Sequence, residues 1–248
     1  MLTEERWDRI IDVVDKDKAV TVQELEAALN VSASTIRRDL SQLHKLGKIV
    51  KVHGGATAIE KKYVARDLSM DEKHFMNNDE KLMIANYAAG LIKPNDFVYI
   101  DAGTTTEMLV ECLTEMKACY MTNSVMHAWH LSQKGCRTFL TGGELKSTTE
   151  AIVGMMTEEN LRKFHFTIGF WGTNGVSDEC GFTTPEPNEA MIKKISMQQT
   201  EKRFVLCDSS KFSAVSPITF ADFASATVIT GKLTDKRYKK YENIVEVE

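Results

Sequence analysis

The chain has few of the residues that interrupt or staple a fold. Only four prolines occur in 248 residues, all at or after position 94, so nothing in the first third forbids a helix interior. Five cysteines (Cys112, Cys119, Cys136, Cys180, Cys207) form an odd set without a C-x-x-C pair. That argues against a disulfide framework and for reduced thiols, mostly in the core. No apolar run approaches the roughly 20 residues a membrane span needs. The opening "MLTEERWDRI" is charged from the start, unlike a secretory signal. A cytoplasmic protein with no membrane partner is expected. Neither G-x-x-x-x-G-K-[ST] nor G-x-G-x-x-G occurs, which disfavours nucleotide binding, and no cofactor is expected. Repeats and low-complexity segments are also missing.

What the chain does have is unevenly distributed charge. The net formal charge is -4. Residues 1–32 hold four Lys/Arg against eight Asp/Glu, whereas 33–62 hold seven Lys/Arg against two acids. A small basic patch on an acidic protein points to local contact with a polyanion.

The pattern around that patch is specific. Trp7, Ile10, Ile11 and Val14 recur at helical spacing, predicting a helix over about 3–16. In "TVQELEAALN", Thr21 and Glu24 have capping-box spacing, and Val22, Leu25 and Leu29 form an apolar stripe. Val31-Ser32 is a tight turn into a third helix, with Ser32 its N-cap. On that helix Ile36, Leu40 and Leu43 share the core face, with Asp39 toward the packed side. Ser34, Arg37, Arg38, Ser41 and Lys45 share the opposite face, which carries no acid. Arginines and small hydroxyls on an exposed helix suit a DNA major groove. "GKIVKVHGGA" reads as a short hairpin offering Lys48, Lys51 and His53 to the backbone or minor groove. Three helices and a basic hairpin make a winged helix-turn-helix, and double-stranded operator DNA is the expected partner.

Residues 58–80 have few bulky apolars and read as a linker that can hold a helical turn. From 81 to 248 short apolar strands alternate with helices, predicting an α/β domain with a mostly parallel sheet. Within it "EAIVGMMTEENLRKF", residues 150–164, reads as one helix. The domain assignment is thus 1–57 for the DNA-binding domain, 58–80 for the linker and 81–248 for the α/β domain. Strand ends collect small polar residues: Asp101-Ala102-Gly103-Thr104-Thr105-Thr106, Thr122-Asn123-Ser124, Thr141-Gly142-Gly143 and Asp208-Ser209-Ser210-Lys211. In open α/β sheets such ends form the ligand crevice. A Gly-Thr-Thr-Thr turn entering a helix supplies amides and hydroxyls for a phosphate.

Both halves resemble the DeoR family of bacterial transcription regulators. The likeness is carried by "VSASTIRRDLSQLHKLGKIVKVHGGA", by "DAGTTT", "TNS", "TGG", "NEA" and "DSSKF", and it covers nearly the whole chain. It implies that Thr35, Arg37 and Arg38 contact an operator; the place of Thr35 rests on the resemblance alone. It implies a larger domain similar in fold to ribose-5-phosphate isomerase and the CoA transferases, binding a phosphorylated sugar as effector. Gly103, Thr104, Thr105 and Thr106 would hold the phosphate and Lys211 would add a charge. Asp101, Asn123 and Glu189 would meet sugar hydroxyls, with Ser124 and Gly143 in the same crevice. Fructose 1-phosphate is the first effector expected, because many family members serve fructose operons.

The expectation is a repressor acting as a homodimer or homotetramer, since one winged helix covers one half-site. The alternative is a sugar-phosphate isomerase with an accessory DNA-binding domain. The compared isomerases carry a D-G-x-D run, and the nearest segment here, Asn174-Gly175-Val176-Ser177, has neither aspartate. A non-enzymatic role is therefore expected. His127 and His130 are spaced i, i+3 but lack ligand partners nearby, so no metal is expected. Trp171 is expected to pack.

Overall fold

The computed structural model describes residues 2–46, 48–58, 62–64, 66, 68–233 and 235–248. Gly47 of the expected hairpin, and 59–61, 65 and 67 of the expected linker, lie outside the described residues. The chain divides into two compact units, Met1–Lys61 with Thr234–Tyr241, and Lys62–Leu233 with Glu242–Glu248.

The first unit runs α1 (Thr3–Asp17), β1 (Ala19–Thr21), α2 (Val22–Leu29), α3 (Ala33–Lys45), β2 (Val50–Val52) and β3 (Gly55–Thr57). The apolar stripes of the three helices meet in one core with Ile10, Val14, Leu25, Ile36, Leu40, Leu43 and Ile49 fully buried. Thr21 and Glu24 form the capping box: the Glu24 amide donates to Thr21 Oγ1 at 3.2 Å and the Thr21 amide to Glu24 Oε2 at 2.8 Å. Asn30 ends α2 in the left-handed region with φ 52°. The hairpin β2–β3 is present, and β1, which the sequence reading missed, adds a third antiparallel strand in the order β1-β3-β2. Gly55 makes that pairing possible, because a Cβ there would lie 2.1 Å from the Val20 carbonyl oxygen.

The second unit begins with β4 (Lys62–Tyr63), α4 (Met70–His74), α5 (Asn78–Ala89), β5 (Phe97–Ile100), α6 (Thr104–Cys112) and β6 (Cys119–Thr122). It continues with α7 (Val125–Gln133), β7 (Arg137–Leu140), β8 (Glu144–Lys146), β9 (Ala151–Val153), α8 (Met155–Leu161) and β10 (Phe166–Gly172). Then come β11 (Gly175–Ser177), β12 (Gly181–Thr184), α9 (Pro187–Gln198), β13 (Thr200–Leu206), β14 (Ala214–Val215), β15 (Ile218–Ala221), β16 (Thr227–Thr230) and β17 (Ile244–Glu246).

Seven strands form one parallel sheet in the order β17-β16-β13-β10-β5-β6-β7. Its core gathers Val98, Ile100, Leu109, Val110, Tyr120, Leu131, Ile168, Phe170 and Ile229. The strand order runs one way from β5 through β6 and β7, and the other way from β10 through β13. The switch lies between β5 and β10, where an open α/β sheet places its ligand crevice.

Two expectations need correction. Residues 58–80 are not a bare connection. Besides the helical turn allowed for, which is the capped α4, they contain β4, which pairs in parallel with β14, and the start of α5. The run 150–164 is not one helix, since its first apolar residues form β9, antiparallel to β8, before α8 begins. Three apolar residues entering a helical pattern carry no periodicity that tells strand from helix. The small antiparallel sheet β11-β12-β15 also went unforeseen.

Candidate functional sites

In the first unit the polar face of α3 is open. Ser34, Arg37, Arg38 and Lys45 are exposed, as are Lys51 and His53 on the hairpin, while Thr35 and Ser41 are half-buried. The nearest acid, Asp39, is turned away into the core at 3% exposure. It accepts from Arg6 Nε at 2.6 Å and from Trp7 Nε1 at 3.0 Å, pinning α1 to α3. Burial works against the Asp39 carboxylate. The hydrogen bonds from Arg6 and Trp7 outweigh it and hold the pKa below its ordinary value. Asp39 thus supports the helix from its packed side, with Arg6 as its ion-pair partner and the Arg38 charge a smaller influence.

Ser32 stands at the N-cap of α3 but its hydroxyl does not cap the helix. It lies 3.1 Å from both Ser34 Oγ and Thr35 Oγ1, making a hydroxyl cluster at the helix start. Ser41 donates to the Arg37 carbonyl at 2.7 Å and accepts from Lys51 Nζ at 2.8 Å. That second bond ties the hairpin to the helix.

In the second unit a cleft opens at the carboxyl ends of β5, β10 and β13. Its cavity volume is about 70 Å³. Gly103, Thr104 and Thr105 line it where α6 begins. Gly103 is the N-cap and supplies no side-chain acceptor, so the first-turn amides and the helix dipole are available to an anion. Lys73, Lys81 and Lys211 line the same cleft. Lys81 is 3% exposed and donates to the Lys73 carbonyl at 2.6 Å. Burial is the main cause of its lowered pKa; Asp208 opposes the shift, and the Lys211 and Lys73 charges add to it. A site that crowds ammonium groups together favours binding of an anion.

The rest of the lining is a network of buried polar groups. Asp101, 1% exposed, is paired with Lys193 of α9 and accepts from the Gly172 amide at 3.3 Å. Burial raises the Asp101 pKa, and the Lys193 charge pulls it back. Lys193 also donates to the Gly172 carbonyl at 3.1 Å. Asn123 Oδ1 accepts from Tyr99 Oη at 3.2 Å and from the Ala102 amide at 3.0 Å. Glu189 Oε1 accepts from Lys146 Nζ at 2.8 Å and Thr149 Oγ1 at 2.5 Å. Asp208 accepts from Asn77 Nδ2 at 2.8 Å, and the Ser209 amide donates to Glu80 at 2.6 Å. Those two bonds anchor the loop bearing Lys211 to α5.

Comparison with known proteins fits this geometry. Residues 6–62 match the family profile described as the DeoR-like helix-turn-helix domain, and residues 76–232 match the DeoR C terminal sensor domain. The chain belongs to the DeoR family. It is 40% identical over 243 residues to the "Uncharacterized HTH-type transcriptional regulator FruR" of Bacillus subtilis (strain 168), covering 98% of this chain and 96% of that protein. It is 32% identical over 255 residues to the lactose phosphotransferase system repressor of Streptococcus mutans serotype c, covering 99% and 100%. Among solved structures it matches ribose 5-phosphate isomerase A from Methanocaldococcus jannaschii with TM-score 0.41 and 18% identity, over 55% of each chain. The relatives are named as regulators, and this DeoR-family chain is a transcriptional regulator rather than an enzyme. No described helix is long and apolar enough to cross a membrane. No group of three or more metal-ligating side chains occurs among the described residues.

Within the DeoR sensor unit, the expected residues divide. Asp101, Gly103, Thr104, Thr105, Asn123, Glu189 and Lys211 line the cleft together. Thr106, Ser124 and Gly143 do not. Thr106 Oγ1 turns back to the Gly103 carbonyl at 2.9 Å. Ser124 caps α7 by accepting from the His127 amide at 3.2 Å. Gly143 packs where a Cβ would come within 2.1 Å of Thr157 Oγ1. Trp171 is fully buried and donates to Ser196 at 2.9 Å.

Sequence reading missed Lys73, Lys81, Lys193 and Thr149, all in the lining. A lysine on a helix ordinarily marks a solvated face. Only the packing of α5 and α9 on the sheet makes Lys81 and Lys193 interior.

Proposed function

We propose that the chain represses a sugar-metabolism operon by binding operator DNA through α3 and the β2–β3 hairpin, and that a phosphorylated sugar in the cleft controls this binding. One observation carries the reading. An uncapped helix start and three lysines share a cleft with Asp101, Asn123 and Glu189. The cationic end suits a phosphate, and the carboxylates and amide suit sugar hydroxyls. In this reading Arg37, Arg38, Ser34, Thr35, Lys45 and His53 meet the operator. Lys51 and Ser41 contribute after exchanging their mutual bond for phosphate contacts. Two or four copies occupy repeated half-sites. The relative named as a lactose phosphotransferase system repressor supports sugar control, and fructose 1-phosphate is the first compound to try because of the family resemblance.

The test is thermal melting of the full chain against phosphorylated sugars and their unphosphorylated parents. At about 100 times Kd a ligand stabilises by roughly 2.7 kcal/mol, which is about 5–10 °C for a unit of this size. A phosphorylated sugar should raise the midpoint while its parent does not, and Thr104→Val and Lys211→Ala should each remove the shift. A panel in which no phosphorylated compound acts would sink the sensor reading and leave a DNA-binding regulator with a different signal.

A further inference from the structure

The cleft is only part of the cavity system in the sensor unit. Its interior leaves about 70 Å³, room for roughly five water-sized groups at about 10–15 Å³ each. That accommodates a phosphate group and the hydroxyl-bearing carbon next to it, not a whole sugar. Next to it opens an outer chamber of about 420 Å³. Lys73, Met76, Asn174 and Lys211 line both spaces, so the two adjoin. The outer chamber is walled mainly by apolar groups, among them Tyr63, Val64, Leu68 and Ala214. Arg66 at its edge is engaged by Glu72 at 3.0 and 3.2 Å.

We propose that the outer chamber is the subsite for the non-phosphorylated end of the effector, with its C–H face lying against Tyr63. The inference rests on reading the inner cleft as the phosphate site. The volumes argue for it: the phosphate and the carbon whose hydroxyl meets Asp101, Asn123 or Glu189 take the inner space, and the rest of the carbon chain extends past Lys211 into the larger one. An aromatic face beside apolar side chains suits the C–H surface of a sugar, while Asn174 and Ser210 offer polar atoms to its hydroxyls. The placement also bears on regulation. Tyr63 belongs to β4, the segment that follows the DNA-binding unit in the chain, and β4 pairs with β14, three residues beyond Lys211. A whole sugar phosphate would touch this segment, whereas inorganic phosphate would reach only the inner cleft.

The experiment is calorimetric titration of the full chain, in a phosphate-free buffer, with inorganic phosphate and with fructose 1-phosphate followed by the other phosphorylated sugars. Wild type is compared with Tyr63→Ala and Tyr63→Phe. Tyr63 is 64% exposed, so its loss leaves the core intact. Tyr63→Ala should weaken the sugar phosphate about tenfold and leave inorganic phosphate unchanged, with Tyr63→Phe close to wild type. Unchanged binding of both ligands to Tyr63→Ala would remove the chamber's role, and an equal loss of both would mark damage to the whole cleft. Either overturns the proposal. If wild type binds inorganic phosphate but no sugar phosphate, the effector reading itself fails and the subsite goes with it.

Discussion

His127 shows how far a single residue's environment can depart from its sequence appearance. Next to His130 it looks like half of a metal site. In the fold it is fully buried on α7, where the Gly103 backbone is a hydrogen-bonding group that favours the charged ring without offsetting its burial. Burial, with a smaller contribution from the nearby His130 charge, pushes its pKa down to about 3. The unfolded chain takes up this proton near pH 6.5 and the folded chain does not until about pH 3. The stability tied to neutral His127 is therefore complete above pH 6.5. It is lost as pH falls toward 3, at up to about 1.4 kcal/mol per pH unit. Melting of the sensor unit between pH 7 and 4 should follow that slope in wild type, and His127→Leu should flatten it. A variant that keeps the full slope would assign the acid sensitivity to other groups. The same lesson applies to Lys81 and Lys193: composition cannot tell a buried lysine from a solvated one, because burial depends on which helix face the sheet covers.

At the scale of elements, much of the architecture was legible because it is periodic or carries local hydrogen-bonding signals. The stripes of α1, α2 and α3, the Thr21–Glu24 box and the Asn30 stop are local features, and the structure keeps them. The strand ends that build the cleft were legible through Asp101, Gly103 and Lys211 for the same reason. Short pairings were not legible. β1, the β8–β9 hairpin and the β11–β12–β15 sheet have three or four residues per strand, too few to show a period, and β1 and β15 pair with strands far along the chain. The pair Gly54 and Gly55 separates two causes that look alike in sequence. Gly54 turns the hairpin with φ 85° and has no atom within 4 Å of a would-be Cβ. Gly55 is needed for the close approach of β3 to Val20. Gly55→Ala should therefore cost about 1–3 kcal/mol by forcing β1 and β3 apart. Gly54→Asn, compatible with the left-handed region, should cost much less. Melting of the DNA-binding unit, with operator affinity as a second readout, checks this. Equal effects at the two positions would mean that the β1–β3 contact gives way easily.

At the scale of the whole molecule, charge explains how an acidic chain can hold DNA. In the proposed reading the polyanion meets the face of α3 and the hairpin, where Arg37, Arg38, Lys45 and Lys51 are exposed and Asp39 is neutralised by Arg6. The acidic remainder, with a net charge of -4 over the chain, limits adhesion away from a site that satisfies this face, so binding should be strongly salt-dependent and favour the operator. The log of the association constant should fall linearly with the log of salt concentration, at about 0.9 per phosphate neutralised. If Arg38 neutralises a phosphate, Arg38→Ala should reduce that slope by about one while weakening operator and random DNA alike. If it reads a base edge, the loss should be about 1–3 kcal/mol on the operator, with a smaller penalty for base changes at one position. Fluorescence anisotropy across a salt series with operator and scrambled duplexes separates the two. A variant matching wild type on every duplex would remove Arg38 from the interface and leave Arg37 and the hairpin lysines to account for binding.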